Sequence, residues 1–158
     1  MSESLAPAAA RVQELLRAAG SSAAVMQFPV TARTAADAAA VIGCTVAQIA
    51  KSLVFRGGSG RPVLVIASGV NRVDEKKIAA ALGQPIGKAD AEFVRASTGY
   101  AIGGVAPIGH TTPPVIFIDE DLREHAVIWA AAGHPHAVFP TSSAELERLT
   151  GGTVMTVK

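Results

Sequence analysis

At 158 residues, with 49% hydrophobic side chains, a formal net charge of +1 and a single cysteine, the chain can bury a core as one domain without disulfides or metals. That balance excludes an internal disulfide framework and argues against a protein that coats nucleic acid by overall charge. No apolar run reaches the roughly 20 residues of a membrane-crossing helix, and the start, MSESLAPAAARVQELLRAAG, carries acids early and lacks a charged-then-apolar leader, so a cytoplasmic protein is expected.

Residues 4–19 carry Leu5, Val12, Leu15, Leu16 and Ala19 at near-helical spacing, ended by Gly20; with its lead-in this N-terminal helix occupies 1–20 of a single domain spanning 1–158. Residues 23–28, AAVMQF, read as a short strand stopped by Pro29. Thr34 opens a helix with an acid, Asp37, three residues on, and Gly43 ends it. Thr45 repeats the start signal with Gln48, and the short helix it opens runs into Lys51. SLVFR and PVLVIAS then form two strands around GGSGR, a hairpin with Gly57, Gly58 and Gly60 in the turn. Asp74 caps a helix with Ile78, Ala79 and Leu82 on its apolar face, and Asp90 caps another, AEFVRAS. Next comes Ser97–His110, STGYAIGGVAPIGH, in which strand-forming Tyr100, Ile102 and Val105 alternate with glycines; it reads either as a glycine-kinked hairpin or as a segment offering backbone N–H groups to an oxygen-rich ligand. PVIFID, residues 114–119, is an apolar strand, HAVIWAAAG and HAVFP are a further pair, residues 143–150 are a closing helix, and TVMTV is a last strand. Mixed helices and strands with short turns predict an α+β fold with a mixed, curved, barrel-like sheet surrounded by helices.

The chemistry candidates are few. Lys51, flanked by Ile49, Ala50 and Leu53, can complement a helix dipole and snorkel to water, or point inward to a substrate oxygen; no acid lies close to it in sequence. Ala50-Lys51-Ser52 lacks the glycines of a phosphate-binding loop, at positions held here by Ala50 and Thr45, and a strand rather than a helix follows; a nucleotide triphosphatase is excluded. His110, His125, His134 and His136 have no accompanying cysteine or carboxylate cluster, so no metal is expected. Cys44 reads as a small buried thiol and Trp129 as core. Residues 51–95 hold eight basic against four acidic side chains, a basic middle that could face phosphates. An enzyme built from these parts would work by positioning and by stabilising oxyanion charge with Lys51 and backbone N–H groups, which suits an activated ester better than an amide.

AKSLVF, the helix ending IAAALG, ADAEFVRASTGYAIGGVAPIG and PVIFID, laid in that order, make the chain resemble the YbaK/ProX family of free-standing aminoacyl-tRNA editing proteins, related to the editing domain inserted in bacterial prolyl-tRNA synthetase. The resemblance implies hydrolysis of the ester between a wrong amino acid and the 3′ end of tRNA, chiefly tRNA(Pro), with water, or the thiol of a cysteine substrate, as the attacking group. It implies Lys51 and Gly103 as catalytic positions. Ser52, Thr98, Gly99 and Gly104 would bind substrate, and Thr34 would border the pocket. It implies no cofactor, and partners limited to the aminoacyl-tRNA acceptor end and prolyl-tRNA synthetase, without membrane or DNA. An aromatic content of only 4% is enough if only the single-stranded acceptor end enters. After Trp129 the chain reads AAAGHPHAVFP, where cysteine-clearing relatives carry a glycine- and base-rich segment. Alanine or 2-aminobutyrate is therefore the preferred cargo, with His134 shaping the choice. The alternatives are a Cys-tRNA(Pro) deacylase and a non-catalytic module that binds tRNA or a synthetase.

Overall fold

The computed structural model describes residues 5–29 and 34–158; the first four residues of the expected N-terminal helix lie outside that range. Helices form where an apolar stripe is bracketed by local start and stop signals. Helix α1 (Pro7–Ala18) begins at Pro7, whose missing N–H costs nothing in a first turn, and buries Ala9, Val12 and Leu16. Helices α2 (Ala35–Ile42), α3 (Glu75–Leu82) and α4 (Ala91–Thr98) are opened by Thr34, Asp74 and Asp90, whose side chains accept N–H bonds from Asp37, Lys76 and Phe93. Ser142 does the same for α5 (Ser143–Thr150), accepting from Glu145. Among the described residues no helix is long and apolar enough to cross a membrane.

The strands are β1 (Met26–Gln27), β2 (Ile49–Gly57), β3 (Pro62–Ser68), β4 (Ile86–Lys88), β5 (Val115–Asp119), β6 (Ile128–Ala131), β7 (Ala137–Thr141) and β8 (Thr153–Met155). They form one sheet in the order β1-β7-β6-β2-β3-β5-β8, with β4 also paired to β2. Pairs β2–β6, β3–β5 and β5–β8 are parallel and the others antiparallel. The domain is thus α+β with a mixed sheet, as expected. β1 and β8 stand at opposite ends and do not pair among the described residues, so the sheet is open rather than closed into a barrel.

Every residue of β3 is buried, because helices cover both faces of the sheet. Leu64 and Ile66 face a cluster with Val12 and Leu16 of α1, Val94 of α4 and Leu146 of α5. Val63, Val65 and Ala67 face Ile78 of α3 and Val157. β2 is shared on one edge by two strands: Ile49 and Ala50 pair with Trp129 and Ala130 of β6, whereas Phe55, Arg56 and Gly57 pair with β4. Between those pairings the sheet splits.

Three local readings change. The strand expected over 23–28 is only Met26–Gln27, since the Gln13 side chain takes the Val25 N–H and donates to the Ala23 carbonyl, occupying the groups a longer strand would use. The glycine segment forms no strand among the described residues, because positive φ at Gly99, Gly103 and Gly109 breaks the extended course. β4 and a short 3-10 stretch, Glu120–Glu124, arise where no periodic pattern marked them.

Candidate active site at the split in the sheet

Lys51 is the third residue of β2, and the short helix before it is a 3-10 turn, Val46–Gln48. A three-residue turn that stops short of the lysine offers little dipole to complement, so the dipole-capping alternative falls away. Directly across the sheet Lys51 opposes Ala67. The parallel register of Ile66 with Ile118 sets Asp119 beside Ala67 on its far side. Lys51, Ala67 and Asp119 therefore share one face, with only a methyl group between the two charged side chains. Asp119 is 1% exposed. One of its oxygens accepts the Ser68 N–H at 3.0 Å and Asn71 Nδ2 at 2.8 Å, and the other accepts the Asp121 N–H at 2.9 Å. Burial lowers the Lys51 pKa, and the charge of Asp119, acting through space, opposes that shift. The acid missing near Lys51 in sequence thus arrives through strand pairing.

Beside Lys51 lies a cavity of about 350 Å³, at the small end of the range for ligand sites. Its floor is residues 49–53 of β2, and its walls are Thr34, Ala35 and Ala38 at the start of α2, Ile102, Gly103 and Val105 of the glycine segment, and Trp129, Ala131, Pro135, Ala137 and Val138 of the β6–β7 hairpin, with Phe28. Small apolar side chains dominate. Lys51, Ser52 and Thr34 bring the polar chemistry, although the Thr34 hydroxyl already accepts the Asp37 N–H at 3.1 Å. Ser52 Oγ is buried without a hydrogen-bond partner among the described residues, and such an oxygen is costly unless a ligand meets it. Trp129, read from sequence as core, is only half-buried and lines the cavity.

Of the expected site positions, Lys51, Ser52, Gly103 and Thr34 meet at this cavity, whereas Thr98, Gly99, Gly104 and His134 are not among its lining residues. They hold the glycine segment in place. Thr98 Oγ1 donates to the Val94 carbonyl at 2.6 Å and accepts the Tyr100 N–H at 3.1 Å, and Gly99 closes α4 with φ of 80°. Gly104 packs on the backbone of His134, whose N, Cα and C would each lie 2.9 Å from a β-carbon placed there. His134 Nδ1 accepts the His136 N–H at 3.0 Å. Behind the segment, the buried Tyr100 donates its hydroxyl to the Ile108 carbonyl at 2.7 Å, and Arg11 of α1 donates to the Gly109 carbonyl at 2.9 Å. His110 Nε2 lies 2.7 Å from the Ala106 carbonyl, to which it donates, and burial holds its pKa below the ordinary histidine value.

Lys51 and Gly103 thus line one small, largely apolar cavity at the split in the sheet. The sequence profile of the aminoacyl-tRNA editing domain matches residues 30–149, and the chain belongs to that family. The match leaves out α1, β1 and β8. A crystal structure of a candidate trans-editing enzyme for prolyl-tRNA synthetase is 45% identical, covers 98% of this chain and 99% of its own, and superposes with a TM-score of 0.93. The uncharacterized protein YwhH of Bacillus subtilis (strain 168) is 30% identical over 80% of both chains. EbsC of Enterococcus faecalis (strain ATCC 700802 / V583), a candidate Cys-tRNA(Pro)/Cys-tRNA(Cys) deacylase, is 26% identical over 74% of this chain and 77% of its own.

Proposed function

We propose that the chain is a trans-editing deacylase that hydrolyses mischarged aminoacyl-tRNA in the cytoplasm, with tRNA(Pro) carrying alanine or 2-aminobutyrate as its main substrate. The observation that carries this reading is the placement of Lys51 and Gly103 on a small cavity walled by alanines. Water adds to the ester carbon and the carbonyl oxygen takes up negative charge. The bond from that carbon to the ribose oxygen then breaks, and the ribose oxygen leaves with the proton that water gives up. The products are the free amino acid and an intact tRNA end. Lys51 and backbone N–H groups stabilise the developing oxyanion, while the narrow apolar walls favour small side chains over the correct one, a second sieve. In this reading Thr98, Gly99, Gly104 and His134 act by fixing the wall that Gly103 belongs to. Prolyl-tRNA synthetase, whose errors are cleared, is the matching protein partner.

The likeness to EbsC favours one second reading, the same site with cysteinyl-tRNA as cargo and the substrate thiol as attacking group. Both are tested by hydrolysis of tRNA(Pro) charged with Ala, Cys, Ser, 2-aminobutyrate or Pro, with wild type beside Lys51→Ala. Release of Ala and 2-aminobutyrate but not Pro is expected, falling about 10²- to 10³-fold in the variant. Preferential release of Cys would move the assignment to the second reading. No release from any of them, with tRNA still bound, would make the chain a binding module.

A further inference from the structure

The split in the sheet leaves part of a strand edge without a neighbour, and that edge has the hydrogen-bonding pattern of an amino acid. Gly69 N–H donates to the Ile49 carbonyl at 2.8 Å, and Gly57 N–H donates to the Arg61 carbonyl at 2.9 Å. Both bonds run toward β3, and the register between them is unbroken from Ala50↔Ser68 to Arg56↔Pro62. Successive residues of a strand turn their N–H and C=O to alternate edges. Ile49, Lys51, Leu53, Phe55 and Gly57 therefore address β3, and Ala50, Ser52, Val54 and Arg56 address the opposite edge. β6 meets that edge at Ala50 and β4 meets it at Arg56. Among the described residues no strand meets it at Ser52 or Val54, and Ser52 is on the cavity floor. Its N–H and C=O are therefore directed to the edge on which the cavity opens.

Resting on the deacylase reading, we infer that the backbone of Ser52 holds the aminoacyl group as one residue of an antiparallel strand, its C=O accepting from the substrate's α-ammonium and its N–H donating to the ester carbonyl. A hydrogen-bonded antiparallel pair is two residues that exchange both such bonds. An aminoacyl ester carries the same donor and acceptor, spaced by one α-carbon, as a residue in a strand. The bond from Ser52 N–H then falls on the reacting carbonyl and shortens as charge builds there during the attack of water, so it assists the step as well as binding. Directly opposed residues in such a pair send their side chains to the same face. The substrate side chain would join Ser52 on the face that carries Ala50 and Val105, while Lys51 approaches from the other face. Recognition in this form reads the α-amino acid itself, whichever tRNA bears it.

The test alters the substrate rather than the protein, so folding is not at stake. The wild-type chain is given tRNA(Pro) bearing an alanyl, a propionyl or a lactyl ester, and each kcat/KM is divided by the uncatalysed hydrolysis rate of that ester. Propionyl, which lacks a donor at the α-carbon, is expected to fall about 10- to 100-fold below alanyl, as for loss of one charge-assisted hydrogen bond. Lactyl, whose hydroxyl can donate, is expected to lie between. Propionyl cleaved as well as alanyl would overturn the strand-pairing inference and leave the deacylase reading standing. No cleavage of the alanyl ester would overturn both.

Discussion

Two glycine-rich stretches of this chain have similar composition and opposite circumstances. Residues 57–60 close the β2–β3 hairpin and look after their own polar groups. Gly60 N–H bonds to the Gly57 carbonyl, Gly57 N–H to the Arg61 carbonyl, and Gly58 N–H to the Pro85 carbonyl, at 2.8, 2.9 and 2.8 Å. The stretch from Gly99 to Gly109 is wedged between α1 and the β6–β7 turn, held from behind by Tyr100 and Arg11, and presents Gly103 to the cavity. Glycine content therefore does not distinguish a turn from a site wall. What packs against the glycines does.

The largest difference should appear at Gly104 and Gly58. A β-carbon at Gly104 meets His134 backbone atoms at 2.9 Å, whereas at Gly58 the nearest atom is Pro85 Cδ at 3.4 Å, an ordinary contact. Gly104→Ala should cost about 3 kcal/mol by overpacking and Gly58→Ala less than about 0.5 kcal/mol, as read from urea unfolding. Equal midpoints for the two variants would mean that the segment is not pinned to the β6–β7 turn.

Gly103 and Gly60 give a subtler contrast. Their φ values are 90° and 89°, and neither has an atom within 4 Å of a built β-carbon. Alanine at either should therefore cost the same, about 1–2 kcal/mol, for adopting a left-handed backbone. Only Gly103→Ala should also lower kcat/KM on alanyl-tRNA, by about tenfold or more. If Gly60→Ala lowers kcat/KM equally, the contrast is one of stability alone.

Tyr100→Phe strips the Ile108 carbonyl of its donor and should lower stability by about 1 kcal/mol, with a matching fall in thermal midpoint. The smallest effect is on pH dependence near His110. Its folded pKa is lowered, so as pH falls below about 6.5 the unfolded chain takes up a proton before the folded one does. Stability should therefore decline on acidification through that window, at no more than about 1.4 kcal/mol per pH unit. His110→Asn should flatten that part of the curve, and an unchanged slope would place the sensitivity elsewhere.

Much of this architecture is legible along the chain because its causes are local. The caps Thr34, Asp74 and Asp90 bond within three residues of themselves, and Gly57–Gly60 lie within the hairpin they close. Lys51 and Gly103 could be picked out by residue type and by resemblance. Tyr100 was less readable: its residue type favours a strand, but the conformations of Gly99 and Gly103 and the space under α1 make it a buried clamp instead. Trp129 gave no local sign that it would line a cavity.

By itself the sequence determined the helices and their ends, the central hairpin, the α+β class and the family, since each depends on short-range hydrogen bonds or on the order of motifs. Only the tertiary structure decided that β6 and β4 would share one edge of β2 and leave Ser52 between them, and that Asp119 would come to lie across Ala67 from Lys51. Those outcomes rest on parallel and long-range strand pairings, which carry no turn signal. They also rest on backbone groups whose direction is set by neighbouring strands and not by the identity of any side chain.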